Sequence, residues 1–222
     1  MQTSSRALSK KHHSYKEDNS HTNLVAFKKI NQGRVLIILK RLMDVSISAF
    51  LLLILVPIVF PIVAILVALD SKGCVFFIQD RTGIRKTTFR CYKIRTMRLV
   101  NSLSDKTPEM GITRLGMFLR KTHIDELPQL VNVLLGQMSL VGPRPHMLSD
   151  TEEFESRIAN YHLRHAVRPG ITGLAQVNGF YGSVDDTDHL EKRIQFDIEY
   201  VYTWSIWSDI KIILHTIKEP LA

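Results

Sequence analysis

Two cysteines, Cys74 and Cys91, are too few for a disulfide framework in 222 residues, as expected for a reducing compartment. The first thirty residues hold no apolar core of the signal-peptide kind, so nothing points to secretion. A P-loop and a G-x-G-x-x-G fingerprint are both absent, and a conventional nucleotide fold is not indicated. His162 and His165 stand three apart with no H-E-x-x-H and no Cys/His set, which gives zinc no site. The chain is basic, yet it has no zinc finger, RNA-recognition signature or bZIP pattern, and no nucleic-acid partner is expected. No internal repeat is found.

What is present is charge of segregated sign. The net of +8 divides into +7 over residues 1–41, +8 over 70–121 and −6 over 122–222, with Asp44 between the first two blocks. A basic segment beside an apolar one reads as attraction to anionic lipid on the cytoplasmic side. The apolar one is residues 45–69, "VSISAFLLLILVPIVFPIVAILVAL", which contains no charged residue. As a helix it would reach roughly 37 Å, enough for a hydrocarbon core of about 30 Å. A single spanning anchor is one reading. Against it, Pro57 and Pro61 remove two backbone donors near the middle, and the flanking cations are nearly balanced. A re-entrant helix that breaks at Pro57 and Pro61 satisfies both facts, and the residues alone leave the two readings level.

Further along, 74–79 and 87–97 read as strands separated by "DRTGIRK". An extended 87–97 puts Lys93 and Arg95 on one face, which locally is no more than a solvated strand. Residues 112–121 and 126–135 read as helices. In the second, Leu127, Leu130, Val131 and Leu134 have the spacing of a buried stripe and Pro128 falls in the first turn. Asp125 then sits at the N-cap and Glu126 at the first helical position, where amides and the helix dipole favour anions. Whether the pair starts a helix or does chemistry is not decided locally. "VGPRPH" holds the Arg144 fork between two prolines, suited to phosphate or carboxylate. "RHAVRPGITGLAQVNG" combines Arg168, glycines and polar tips, as a ligand-approaching loop would. In 204–218, Trp207, Ile210, Leu214 and Ile217 share one helical face, as in an interfacial or a core-packing helix.

Together, "KRLMD", the proline-containing apolar segment, "YKIRTM", "RKTHIDELPQLVNVLLGQMSLVGPRP", "RPGITGLAQVNG" and "DIKII" resemble, in order, the bacterial sugar transferases, the monotopic phosphoglycosyl transferases acting on polyprenol phosphate. The resemblance runs from about Lys40 to Lys218. It implies an enzyme that moves sugar-1-phosphate from a UDP-sugar to polyprenol (undecaprenyl) phosphate, giving polyprenol-diphosphate sugar and UMP at the start of a surface glycan. It implies Asp125 as a nucleophile that forms a covalent phospho-sugar intermediate, Glu126 beside it, and Mg²⁺ held by the pair. Lys93, Arg95, Arg120, Pro143, Arg144, Pro145, Arg168, Gln176 and Asp197 match substrate-site motif positions, with Asp197 meeting the nucleotide or a neighbouring cation. The chemistry agrees: cations and Mg²⁺ reduce the repulsion between a diphosphate and a carboxylate, and a nucleophile splits the transfer into two steps.

The resemblance also implies an α+β, mainly helical fold in three parts. These are a flexible basic cytoplasmic tail (1–35), a re-entrant membrane helix (36–70) and a catalytic domain (71–222) with small β elements and interfacial amphipathic helices. Its place is the cytoplasmic face of a bacterial inner membrane, among inner-leaflet lipids and with downstream glycosyltransferases as candidate partners. Oligomeric state is left open. Two positions depart from family habit: Val56 stands where Ser usually precedes the proline, and Leu174 where Trp is frequent. "GPRPH", "NGFYG" and "WSIWSDIKII" look closest to the glucose or galactose branch, while "GSVDD" does not match it, so N-acetylated and diamino sugars stay open. The competing function is a non-catalytic membrane scaffold binding anionic lipid.

Overall fold

The computed structural model describes residues 33–98, 111–182 and 187–218; the basic tail expected over 1–35 lies, up to residue 32, outside them. An apolar run with few helix breakers forms one long helix, α1 (Arg34–Asp70). It is long and apolar enough to cross a membrane. At 1.5 Å per residue it would measure about 55 Å if straight. The break expected at Pro57 and Pro61 is not found as an interruption: both prolines lie inside continuous helix. Each removes a single amide donor, and the residues on either side keep their own ladder bonds. Asp44, Ser48, Leu52, Val63 and Val67 are buried on the rest of the chain. They recur at four or eleven residues, close to whole numbers of turns, so α1 offers the body a single stripe. Leu53, Ile58, Ile62, Ile65 and Leu69 are exposed.

Both ends of α1 are tied to the same body. Near its start, Lys40 Nζ meets Asp209 Oδ2 at 2.6 Å. Arg41 donates to the carbonyls of Val133 and Leu134 at 2.6 and 2.9 Å. Asp44 accepts from the Ser139 hydroxyl and the Leu140 amide at 2.8 and 3.1 Å. Near its end, the buried Arg95 guanidinium donates to the carbonyls of Ser71 (2.6 Å) and Lys72. Arg95 thereby holds the chain just past the end of α1. Arg95→Leu is expected to lower unfolding stability by about 1–3 kcal/mol, the scale of hydrogen bonds made by a charged group, readable as a shifted denaturant midpoint in detergent.

After α1 the chain forms an antiparallel hairpin, β1 (Phe76–Thr82) with β2 (Thr88–Ile94), in which Phe77 faces Lys93, Gln79 faces Cys91 and Arg81 faces Phe89. Both strands differ slightly in extent from the segments the sequence suggests. Next come α2 (Arg114–Lys121), with Thr113 capping the Gly116 amide, and α3 (Gln129–Leu134). A parallel pair follows, β3 (Ser139–Val141) with β4 (Gly170–Thr172), enclosing α4 (Leu148–Arg157). A Cβ on Gly170 would overlap the Gly142 amide nitrogen, so this crossing requires glycine. The short α5 (Leu174–Val177) then leads to α6 (Thr187–Thr203) and α7 (Ile206–Lys218).

Leu52 packs with Leu130, Leu140, Val141, Tyr200 and Ile212, whereas Val63 and Val67 pack with Ile94 and Leu119. The body therefore grips α1 along both halves. On α7, Asp209 and Ile212 point inward while Trp207, Leu214 and Ile217 are exposed. The apolar face expected there is outward, not a core face. Among the described residues the architecture is mainly helical with two small sheets.

Candidate active site

The α-helix expected to begin at residue 126 begins at Gln129, with Pro128 as its N-cap residue. Asp125 and Glu126 instead lie in a 3₁₀ turn, Ile124–Glu126, entered through His123 in the left-handed region (φ 55°). They are therefore not its N-cap and first residue. The buried face of α3 is also rotated from the expected stripe: Gln129, Leu130, Asn132 and Val133 are buried, while Val131 and Leu134 are exposed. Asn132 explains the rotation. Its side chain accepts from the Tyr92 amide at 3.1 Å and donates to the Arg90 carbonyl at 2.7 Å, docking α3 on β2 through a polar residue.

That docking brings the acid pair against Lys93 of β2 and Arg144 of the loop after β3. Glu126 Oε1 accepts from Lys93 Nζ and Arg144 Nη2, both at 2.7 Å, and Oε2 accepts from Arg144 Nη1 at 3.2 Å. Burial pushes the Glu126 carboxyl up, but Arg144 and Lys93 outweigh it and hold it far below the usual carboxylate range. Glu126 is a fixed anion within a cationic clamp. Asp125 differs: burial and the neighbouring Glu126 charge push its carboxyl up, opposed by Lys93, Arg120 and Arg144. Its Oδ1 is buried without a hydrogen-bond partner. Stranding a buried carboxylate oxygen costs about 1–3 kcal/mol, and such an atom calls for a functional explanation.

Arg144 is positioned from behind. The Arg164 guanidinium donates to the Arg144 carbonyl at 2.6 Å and to Asp197 Oδ2 at 2.7 and 3.0 Å, with both side chains almost fully buried. Asp197 thus meets a neighbouring cation. The Pro143 carbonyl accepts from the Gly170 amide at 2.9 Å, and that of Pro145 from Arg81 at 3.2 Å. Alongside, His146 Nδ1 and the Tyr161 hydroxyl lie 2.7 Å apart, and Tyr161 stacks edge-on with His165.

Burial pushes the His165 imidazole down to about 4, reinforced by Arg164 and Lys86. The unfolded value is about 6.5, so the unfolded chain binds more protons between pH 6.5 and 4. The stability that His165 contributes is present above 6.5 and is lost as pH falls towards 4, about 3 kcal/mol in full. The unfolding midpoint should drop between pH 7 and 5, with a shallower slope in His165→Gln.

Lys93, Asp125, Glu126 and Arg144 are brought together, and Arg120, an exposed residue whose Nε donates to Thr96 Oγ1 at 2.9 Å, is close enough to act on the Asp125 charge. Three expected site residues are engaged elsewhere. Arg95 binds the end of α1; Arg168 donates to the Gly136 carbonyl at 2.8 Å; Gln176 donates to the Ile171 carbonyl at 2.9 Å. Conversely, Arg81, Cys91 and Gln129 join Lys93, Arg144 and Pro145 around a small pocket. None of these three, nor Arg164, is singled out in the sequence, although Gln129 and Arg164 lie within quoted motifs. The one signal for Arg81 and Cys91 is strand alternation across the hairpin, which places them on the Lys93 face.

Among the described residues no group of three His, Cys, Asp or Glu side chains is arranged to hold a metal. Mg²⁺ commonly uses one or two carboxylates with phosphate oxygens and water. The pair fits that mode through the unpartnered Asp125 oxygen, with Glu126 adjacent.

The chain matches the family described as bacterial sugar transferase over residues 35–222. It is similar to the UDP-glucose:undecaprenyl-phosphate glucose-1-phosphate transferases of Klebsiella pneumoniae (45% identity over 185 residues, 81% of this chain) and Escherichia coli K12 (42% over 186 residues, 81%). The protein of that name in Caulobacter vibrioides is 41% identical over 187 residues, 82% of this chain. The match spans 39% of the length of each of the first two relatives and 70% of the third.

Proposed function

The chain belongs to the bacterial sugar transferase family, and from that premise we propose that it transfers sugar-1-phosphate from a UDP-sugar to polyprenol phosphate, releasing UMP. The observation that carries the proposal is the buried Asp125 oxygen, free of hydrogen bonds and beside a Glu126 already neutralised by Lys93 and Arg144.

Asp125 is the nucleophile. Its carboxylate oxygen attacks the sugar-bearing phosphorus, the bond to the bridging oxygen breaks, and UMP leaves with that electron pair. The polyprenol phosphate oxygen then attacks the same phosphorus and frees Asp125. Lys93, Arg120 and Arg144 stabilise charge on the transferring group in both steps. Glu126 keeps Lys93 and Arg144 in place so that they need not reorganise during reaction. Mg²⁺, when bound by Asp125 or Glu126 and the substrate phosphates, reduces the repulsion between them.

The hexose is glucose or galactose, in keeping with the glucose named for the three relatives. The reaction takes place on the cytoplasmic face of the inner membrane, and its product feeds later glycosyltransferases. The exposed faces of α7 (Trp207, Leu214, Ile217) and α3 (Val131, Leu134) rest in the interface. Both ends of α1 bind one body, which supports a re-entrant path with both ends on the cytoplasmic side.

A panel of UDP-sugars incubated with the membrane-bound protein, Mg²⁺ and polyprenol phosphate should release UMP with UDP-glucose or UDP-galactose. Release from none of the panel, N-acetylated donors included, would remove the proposal. For topology, Cys74 is exposed just beyond α1 and Val35 is 66% exposed at its start. Native Cys74, and Val35→Cys in a Cys74→Ser background, should be shielded alike from an impermeant thiol reagent in spheroplasts. Labelling of only one would mean a spanning helix.

A further inference from the structure

We propose that Arg81 is a substrate-contacting residue on the leaving-group side of the site, where it receives the phosphate that departs as UMP. This rests on the transferase reading above and assigns one part of its site.

Four facts converge on Arg81. It lines the same pocket as Lys93, Arg144 and Pro145. It is half-buried, and it forms no ion pair within 4.0 Å among the described residues. The acceptors it does have are neutral: Gln79 Oε1 at 2.5 Å and the Pro145 carbonyl at 3.2 Å. Those two bonds fix the plane of the guanidinium and occupy two of its five N–H donors. A guanidinium oriented by neutral groups keeps its full charge for an anionic ligand, whereas the charge of Lys93 is already shared with Glu126.

Its position selects which phosphate. Lys93 lies opposite Phe77 and Arg81 lies opposite Phe89. Lys93 and Arg144 both bond Glu126, whereas the Arg81 side chain, among the described residues, bonds only Gln79 and the Pro145 carbonyl. Lys93 and Arg144 meet at Glu126, next to Asp125, and so define the end where phosphorus is attacked. Arg81 donates to the carbonyl of Pro145, the residue after Arg144, and lies at the end of the hairpin away from Ile94 and the α1 residues that Ile94 packs on. With Lys93 and Arg81 lining one pocket, a diphosphate that binds there with its sugar-bearing phosphate at Asp125 leaves the adjoining nucleoside phosphate to Arg81. When Asp125 oxygen bonds to the first phosphorus, the bridging oxygen takes the electron pair of the breaking bond. The negative charge grows on the phosphate that Arg81 holds, and no proton transfer is needed. The lipid phosphate, arriving after UMP has left, attacks the phosphorus held at Asp125 and does not need Arg81.

UMP itself is the probe. In Arg81→Ala its inhibition constant for the transfer reaction should rise about 10- to 100-fold, with KM for the UDP-sugar rising in step. KM for polyprenol phosphate should stay within about twofold. Arg81→Lys should recover part of the loss, since it keeps the charge but not the fork. Gln79→Leu, which frees the guanidinium to turn, should give a smaller change in the same direction and serves if Arg81→Ala does not fold. Unchanged UMP inhibition in these variants overturns the assignment, as does equal weakening towards UMP and polyprenol phosphate. A wild-type protein that releases no UMP from any UDP-sugar refutes the transferase reading, and the assignment falls with it; normal wild-type turnover with unaltered inhibition in the variants refutes Arg81 alone.

Discussion

Asp125→Asn is expected to reduce UMP release by at least about 10⁴-fold, the scale seen when a nucleophile is removed, while leaving the unfolding midpoint unchanged or raised. The two halves have one cause. Asp125 is buried, and its Oδ1 has no hydrogen-bond partner. Burial and the neighbouring Glu126 already disfavour its charge, so an uncharged isostere relieves a penalty in the folded state. The same carboxylate forms no hydrogen bond or ion pair among the described residues, whereas that of Glu126 is held by Lys93 and Arg144, and the amide has no comparable nucleophile. Glu126→Gln should behave oppositely in stability. It leaves the Lys93 and Arg144 charges without their carboxylate, so the midpoint falls together with the rate. A variant that is inactive yet at least as stable separates a reacting group from a structural one.

Asp197→Ala is expected to lower stability by about 3–5 kcal/mol, the consequence of leaving a buried charge unpaired. Asp197 and Arg164 are almost fully buried and bonded at 2.7 Å, and the acid accepts from both Nε and Nη2 of Arg164. Arg164 also holds the Arg144 carbonyl, so the change reaches the active site through the Arg144 backbone. The double variant Asp197→Leu with Arg164→Met should regain much of the stability, because an apolar pair can replace a buried ion pair. It should not regain activity, since the Arg144 carbonyl loses its donor and the loop its register. Urea unfolding in detergent, run beside UMP release, reads both effects. Recovery of both in the double variant would mean that the pair serves packing alone.

Much of this molecule is legible in sequence because its signals are local. The uncharged run 45–69 gives α1, the acid pair is adjacent by covalent structure, and Arg144 is framed by prolines. Errors arise where a side chain finds its partner across the fold. Arg95 reads as a second cation beside Lys93, yet it lies one residue past the end of β2 and is taken by the carbonyls of Ser71 and Lys72 just beyond α1. Arg168 likewise finds the Gly136 carbonyl. The start of α3 is misplaced because acids before a proline and an apolar run carry the chemistry of a cap, while His123 at positive φ turns the chain into 3₁₀ geometry first. Its buried face is misassigned because Asn132 docks on a strand edge, which apolar periodicity cannot register. Arg81 escapes notice because its role depends on facing Phe89 across the hairpin and on reaching Pro145, 64 positions away. Such pairings belong to the register of strands and not to any stretch of sequence.

A covalent bond to Asp125 is the central step of the proposed reaction. The direct measurement is intact-protein and peptide mass after incubation with the accepted UDP-sugar and Mg²⁺ in the absence of polyprenol phosphate. The expected result is UMP released in an amount no greater than that of the protein, with a sugar-phosphate adduct on the peptide carrying Asp125 that disappears when polyprenol phosphate is added. UMP release that depends wholly on polyprenol phosphate, with no adduct at any time, would contradict it.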